Sequence, residues 1–178
     1  MLDERRIATS PRADIFARTY RLPEGTLRPD YLVVAERSGT LVVAVTEADE
    51  VLLVRQYRPP VESYLWELPA GALEPGEADP QAGVRTELEQ ETGYTAAAWH
   101  SLGTVHAAPH RSTETDHGFL ALGATRVGKQ DLDPGESVRY KLVPLRTLED
   151  MIRAGEIRSA PSLVVLFKAL RLLAELRT

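Results

Sequence analysis

Residues 79–94 read DPQAGVRTELEQETGY, and the fold turns on this stretch. Asp79 followed by Pro80 is a helix start, because an aspartate side chain caps orphan backbone N–H groups and proline suits the first turn. Gly93 is a helix stop. The expected helix runs from about Pro80 to Thr92, and Gly83 inside it costs ~1 kcal/mol against alanine. At about 100° per residue, Val84, Leu88 and Glu91 share one stripe, with Glu91 between the two apolar residues in projection. Glu87 is about 40° round from Glu91 and one turn below it. Two carboxylates therefore sit on or beside the face that packs inward. Like charges at this spacing weaken an isolated helix by about 0.2–0.5 kcal/mol, and burying them unpaired costs several times more. They need a positive partner. Arg85 is the one base on this helix, and it projects elsewhere. Two partners fit: an arginine from the sheet, making a structural salt bridge, or a hard divalent cation such as Mg²⁺, which keeps waters that can be activated.

The charge distribution singles out the same segment. The chain has 178 residues, 21 basic and 26 acidic, for a net charge of −5. Glu74, Glu77, Asp79, Glu87, Glu89 and Glu91 against Arg85 account for all of that charge, so the remainder sums to zero. This balance argues against a basic nucleic-acid binder, and no DNA-reading helix-turn-helix is apparent. With no cysteine there is no disulfide scaffold, thiol catalysis or thiolate metal site, which fits a reducing cytoplasm. Met1–Arg12 is charged, without the apolar run of a signal peptide. Leu41–Val45 and Leu163–Phe167 are too short to span a bilayer, so no membrane partner is expected.

Working outward, Phe16–Tyr20 and Tyr31–Glu36 read as strands, broken by Pro23-Glu24-Gly25 and by Pro29-Asp30; the first dozen residues read as loose. Thr40–Thr46 and Val51–Tyr57 read as a hairpin across Glu47–Glu50, ended by Pro59-Pro60. Trp66–Pro69 is a short strand leading into Ala70-Gly71. Further strands are expected near Ala98–His106, Gly118–Gly123 and Val138–Pro144. Thr147-Leu148-Glu149-Asp150 resembles a capping box opening a short helix that Gly155 stops. A last helix over about Ser162–Leu176 carries Leu163, Leu166, Phe167, Leu170 and Leu173 at helical spacing. The pattern is α+β, a mixed sheet with helices packed on it. Residues 1–37 form N-terminal strands or an arm, and 38–178 the main unit, within a single domain overall.

Upstream of the helix, Gly71 is followed after five residues by Glu77, and the helix then reads Thr86-Glu87-Leu88-Glu89-Gln90-Glu91-Thr92-Gly93-Tyr94. This resembles the box of the Nudix hydrolases: glycine, five residues, glutamate, seven residues, then Arg-Glu-apolar-any-Glu-Glu-any-Gly-apolar. Gly71, Glu77, Glu87, Leu88, Glu91, Gly93 and Tyr94 match. The gap after Glu77 is one residue too long, placed at Ala78-Asp79, and Thr86 and Gln90 stand where the box has arginine and glutamate. Those two are four apart on the helix, so a neutral Thr–Gln pair replaces a charged one as a supporting contact. Residues 53–58, residues 66–71, the stretch Pro109–His117 and Gly155-Glu156-Ile157 are similar to the ADP-ribose pyrophosphatase subgroup.

The resemblance implies an α/β/α sandwich with a mixed β-sheet and the box as loop–helix–loop. It implies Mg²⁺-dependent hydrolysis, with Mn²⁺ as the alternative, of a small-molecule nucleoside diphosphate derivative: ADP-ribose to AMP and ribose 5-phosphate, or FAD, NADH or a nucleotide sugar. Glu87, Glu91 and the backbone carbonyl of Ala70 are the implied metal ligands, with Gly71 allowing the tight backbone that aims the carbonyl. Glu114 is the implied general base or a further metal ligand, on a loop. Glu77 orders the box loop. Arg37 and Arg58 match arginines that hold phosphates or ribose, since a guanidinium binds phosphate oxygens bidentately; surface salt bridges are the competing reading. The subgroup also implies a homodimer with exchanged N-terminal segments, in which Phe16 or Tyr20 stacks on adenine if it is not in the core. His100, His106, His110 and His117 match no helical zinc spacing. A non-catalytic nucleotide-sugar sensor is the reading from a different class, favoured by Thr86 and Gln90 and opposed by Glu87, Glu91 and Glu114.

Overall fold

The computed structural model describes residues 1–74, 76 and 79–178. Glu77 and Ala78, with the expectations placed on them, lie outside the described residues. The most apolar strand sits at the centre. β4 (Gly39–Val45) is buried along its whole length, as a strand covered on both faces requires. It pairs in parallel with β10 (Asp116–Leu122), which pairs antiparallel with β9 (Ala98–Val105). On its other side lie β5 (Glu50–Arg58) and then β12 (Arg139–Pro144), while β6 (Ser63–Glu67) adds to β5 and β7 (Ala70–Ala72) to β4. The sheet is mixed and has seven strands.

Side chains on a strand alternate between faces, and each face of β4 has its own helix layer. Val42 and Ala44 pack with Leu52 against Val84 and Leu88 of α1 (Pro80–Thr92). Leu41, Val43 and Val45 pack on the other face against Leu148 and Met151 of α2 (Leu148–Arg153) and Val165, Leu166 and Leu173 of α3 (Ala160–Leu176). This is the expected α/β/α sandwich. A two-stranded ribbon, β8 (Tyr94–Thr95) with β11 (Thr125–Arg126), follows α1.

The α1 boundaries are as expected: the Asp79 carboxylate accepts from the Gln81 N–H, and Gly93 ends the helix at φ 73°. The N-terminus differs. Residues expected to be loose form β1 (Asp3–Thr9), paired with β2 (Ala13–Arg21), which pairs with β3 (Leu27–Glu36) in a separate three-stranded sheet. Every β1 residue is exposed, so its backbone pairing is not accompanied by the period-two apolar pattern that reveals strands. β3 runs through Pro29-Asp30 rather than breaking there, absorbing the step with Asp30 at φ 50° and a register shift opposite Arg18–Tyr20. Thr147 does not form a capping box: its hydroxyl donates to the Pro144 carbonyl at 2.7 Å. α3 begins at Ala160, two residues before the expected Ser162, with Pro161 in its first turn. No helix of the described residues is long and apolar enough to cross a membrane.

Candidate active site

A cavity of about 650 Å³ opens where α1, the β4–β7 pair, the loop before β10 and the start of α3 meet. Seven residues given a catalytic, metal or substrate role from the sequence line it: Arg37, Arg58, Ala70, Gly71, Glu87, Glu91 and Glu114; Phe16 and Tyr20 do not. Two walls carry the acids assigned to catalysis or to a cation. The first is α1.

Glu91, on the inward stripe of α1, is only 5% exposed. Its Oε2 accepts a hydrogen bond from the Ala70 N–H at 3.0 Å. Val42 N–H donates to the Pro69 carbonyl across the β4–β7 pair. Antiparallel residues alternate between bonded and non-bonded pairs, so Ala70, opposite Leu41, is non-bonded. Its N–H and C=O therefore point away from β4, toward the side from which Glu91 approaches. Glu87 is half-buried one turn earlier. Gly71 has ordinary strand backbone rather than a left-handed turn. It must be glycine for another reason: a Cβ there would overlap the Glu87 carboxylate. The expected role of Gly71 in permitting a tight backbone is thus replaced by one of space.

Neither acid has an arginine or lysine partner among the described residues. Arg85 instead packs over the Trp99 ring at 5.2 Å, and the nearby Arg58 donates from Nε to Glu67 at 2.7 Å. Burial pushes the Glu91 carboxyl up to about 8, with Glu87 and Glu136 adding to the rise against the Ala70 bond and Arg58. Glu87 is also raised, first by burial and then by Glu136, Asp133 and Glu74. The sheet-arginine alternative is not realised, and this donor set fits a divalent cation. Among the described residues no three acidic, histidine or cysteine side chains converge on one point.

The second wall is the loop of residues 106–115. Glu114 is half-buried there, and its carboxyl is pushed up to about 7 by burial, then by Asp116 and Glu36. The Glu114 N–H donates to Ser112 Oγ at 3.0 Å, and His106 Nδ1 lies 3.2 Å from the Glu114 carbonyl. His106 thus braces the loop rather than joining a metal set. Asp116, to which the sequence reading assigned no role, is 5% exposed and has no hydrogen-bond partner for its side chain among the described residues. Its Oδ1 lies 2.6 Å from where a Cβ on Gly39 would be, so Gly39 makes room for it. Glu67 was also missed. Its carboxylate is almost buried and holds Arg58. Arg37 pairs with Glu74 at 3.5 Å, both exposed. Phe16 is buried, with the Arg6 and Arg18 guanidinium groups 5.6 and 4.9 Å from its ring centroid. Tyr20 meets Tyr31 edge-on in a separate small cavity.

Among the described residues no hydrogen bond joins Thr86 to Gln90. Thr86 Oγ1 donates to the Ala82 carbonyl of its own helix, while the Gln90 carbonyl accepts from the Asp131 N–H. Neither residue lines the cavity.

A model of the NUDIX domain matches residues 35–163, which include both walls. The chain belongs to the Nudix family. Its Nudix box is the stretch from Gly71 to Tyr94, with α1 as the box helix. The chain is 34% identical over 146 residues to the ADP-ribose pyrophosphatase of Bacillus subtilis (strain 168), covering 82% of this chain and 76% of that protein. It is 33% identical over 126 residues to the ADP-ribose pyrophosphatase of Mycobacterium tuberculosis, covering 70% and 61%. A crystal structure of an ADP compounds hydrolase superposes with a TM-score of 0.82 at 20% identity, covering 98% of this chain and 93% of that one, and shows the shared fold.

Proposed function

We propose that this Nudix protein hydrolyses the diphosphate bond of a nucleoside diphosphate derivative, with ADP-ribose, cleaved to AMP and ribose 5-phosphate, as the first substrate. The observation that carries this reading is the pair of carboxylates, Glu87 and Glu91, which line one cavity with Glu114 and have no arginine or lysine partner among the described residues. The printed names of the two pyrophosphatase relatives support ADP-ribose. Glu87, Glu91 and the Ala70 carbonyl would hold Mg²⁺, or Mn²⁺ in its place. Once bound, the cation lets an anionic diphosphate approach an acidic wall and stabilises charge on the leaving phosphate.

The chain's own residues do the rest. Glu114 accepts the proton of the attacking water as its oxygen bonds to phosphorus and the bridging P–O bond breaks; a carboxyl near 7 suits a base working at neutral pH. Glu67 engages Arg58 through Nε, leaving the terminal nitrogens of that guanidinium for phosphate oxygens. Arg37 exchanges its exposed pairing with Glu74 for the substrate. The sensor reading gains nothing from Thr86 and Gln90, which lie off the cavity.

A homodimer in the cytoplasm is part of the proposal. Leu2, Ile7, Leu27 and Leu32 of the N-terminal sheet are each more than half exposed, which supports pairing through that sheet. Light scattering after gel filtration would show twice the chain mass.

The deciding experiment follows product release from ADP-ribose, FAD, NADH, GDP-mannose and dGTP, each with Mg²⁺ and with EDTA. EDTA-sensitive release of AMP and ribose 5-phosphate from ADP-ribose is expected. Binding of ADP-ribose without turnover of any compound would overturn the enzyme reading in favour of a sensor.

A further inference from the structure

The loop that carries Glu114 is fastened to the N-terminal sheet. Val34 of β3 donates its N–H to the Arg111 carbonyl at 2.7 Å and accepts from the Thr113 N–H at 3.0 Å. These bonds form a single parallel bridge between Val34 and Ser112. At its centre the Ser112 hydroxyl donates to Glu36 Oε2 at 2.7 Å and accepts from the Glu114 N–H at 3.0 Å. A hydroxyl has one proton to give and lone pairs to receive. Glu36, as a charged acceptor, takes that proton in a short charge-assisted bond. The Ser112 lone pair is then turned toward the Glu114 backbone. Hydrogen bonds in such a chain polarise and strengthen one another.

We propose that Ser112, oriented by Glu36 at the end of β3, is a positioning residue for Glu114, so that the N-terminal sheet sets where the proton-accepting carboxylate stands. This rests on the reading of Glu114 as the base. Ser112 and Glu36 act through the Glu114 backbone and belong to no part of the Nudix box. Removing the hydroxyl leaves the Glu114 N–H without its partner and cuts the side-chain link to Glu36, while the Val34 backbone bonds still hold the loop on β3. A displacement of about 1 Å at a reacting group costs roughly 10²-fold in rate, while substrate held by Arg37, Arg58 and the α1 wall still binds.

The test compares Ser112→Ala, Glu36→Ala, Glu36→Gln, Glu114→Gln and the double variant Ser112→Ala/Glu114→Gln, measuring kcat, KM and melting temperature with ADP-ribose and Mg²⁺. Ser112→Ala and Glu36→Ala are expected to lower kcat about 10- to 100-fold with KM within about twofold. Glu36→Gln keeps an acceptor oxygen for the serine proton and is expected to recover most of the loss. The double variant is expected to be no slower than Glu114→Gln alone, because residues acting as one unit are not additive. Glu36 is exposed, so its variants report even if Ser112→Ala folds poorly. The proposal is overturned if both alanine variants keep kcat within about twofold, or if the double variant loses the product of the two single effects. A Glu114→Gln protein with unchanged kcat would overturn the base reading itself, and the proposal with it. Loss in Glu114→Gln beside full activity in Ser112→Ala and Glu36→Ala would overturn the proposal alone.

Discussion

The two walls of the cavity are held in different ways. On the α1 wall, Glu87 and Glu91 sit on a capped helix and project onto β7, where Gly71 leaves space for one carboxylate and the Ala70 N–H receives the other. Both carboxylates meet these neighbours within residues 70–93, on elements that themselves pack on β4. On the opposite wall, Glu114 sits in a loop whose hydrogen bonds reach back some eighty residues to Val34, and through Ser112 to Glu36. The rigid wall suits cation binding, because ligand geometry must be fixed before the cation arrives. The loop wall suits proton transfer, and its placement depends on a sheet that packs apart from the main one.

The comparison breaks most clearly at Glu91. Glu91→Gln is expected to lower kcat about 10³-fold and to weaken Mn²⁺ binding, followed by electron paramagnetic resonance, while circular dichroism stays unchanged. Full activity would sink the assignment of the α1 wall. Glu114→Gln is expected to cost about 10²-fold or more in kcat with Mn²⁺ binding retained, which separates the proton-accepting wall from the cation wall. Gly71→Ala sharpens the account of the first wall. The added methyl displaces the Glu87 carboxylate, so an apparent Mg²⁺ affinity lower by roughly 10- to 100-fold is expected from a cation titration of activity. An unchanged affinity would show that Glu87 has other room. Arg58→Ala is expected to raise KM about tenfold with a smaller change in kcat, since it removes binding shared by substrate and transition state.

The smallest effect is on stability. Without a cation, the Glu91 carboxyl of the folded protein stays protonated up to about 8, while its ordinary value is 4.5. Between these values the folded state holds a proton that the unfolded chain has released, so stability falls as pH rises through that window. Thermal melts in EDTA are expected to drop between pH 5 and pH 8, to drop less in Glu91→Gln, and to be restored at pH 8 by Mg²⁺. A native protein that melts higher at pH 8 than at pH 5, by the same margin as the variant, would contradict the burial of an unpaired acid.

The same contrast explains what could be read in the chain. Asp79, Pro80 and Gly93 bounded α1 because capping and left-handed termination are local chemistry, written within a few residues. The stripe of Val84, Leu88 and Glu91 told which face is buried, because helical periodicity is local too. β1 was illegible: its seven residues are all exposed, and only backbone pairing with β2 makes them a strand. The space at Gly71 and Gly39 was equally hidden, since the carboxylates that fill it, Glu87 and Asp116, arrive from other elements.

The chain alone was enough for the α+β pattern, the box helix with its two inward carboxylates, and seven of the residues that line the cavity. Folding was needed to show that no arginine among the described residues pairs with Glu87 or Glu91, that Glu67 engages Arg58, that Asp116 is buried beside Gly39, and that the Glu114 loop hangs from β3. The physical reason is range. Caps, turns and periodicity act over one or two turns of chain, whereas pairing, burial and the electrostatics of facing groups exist only once distant segments have met.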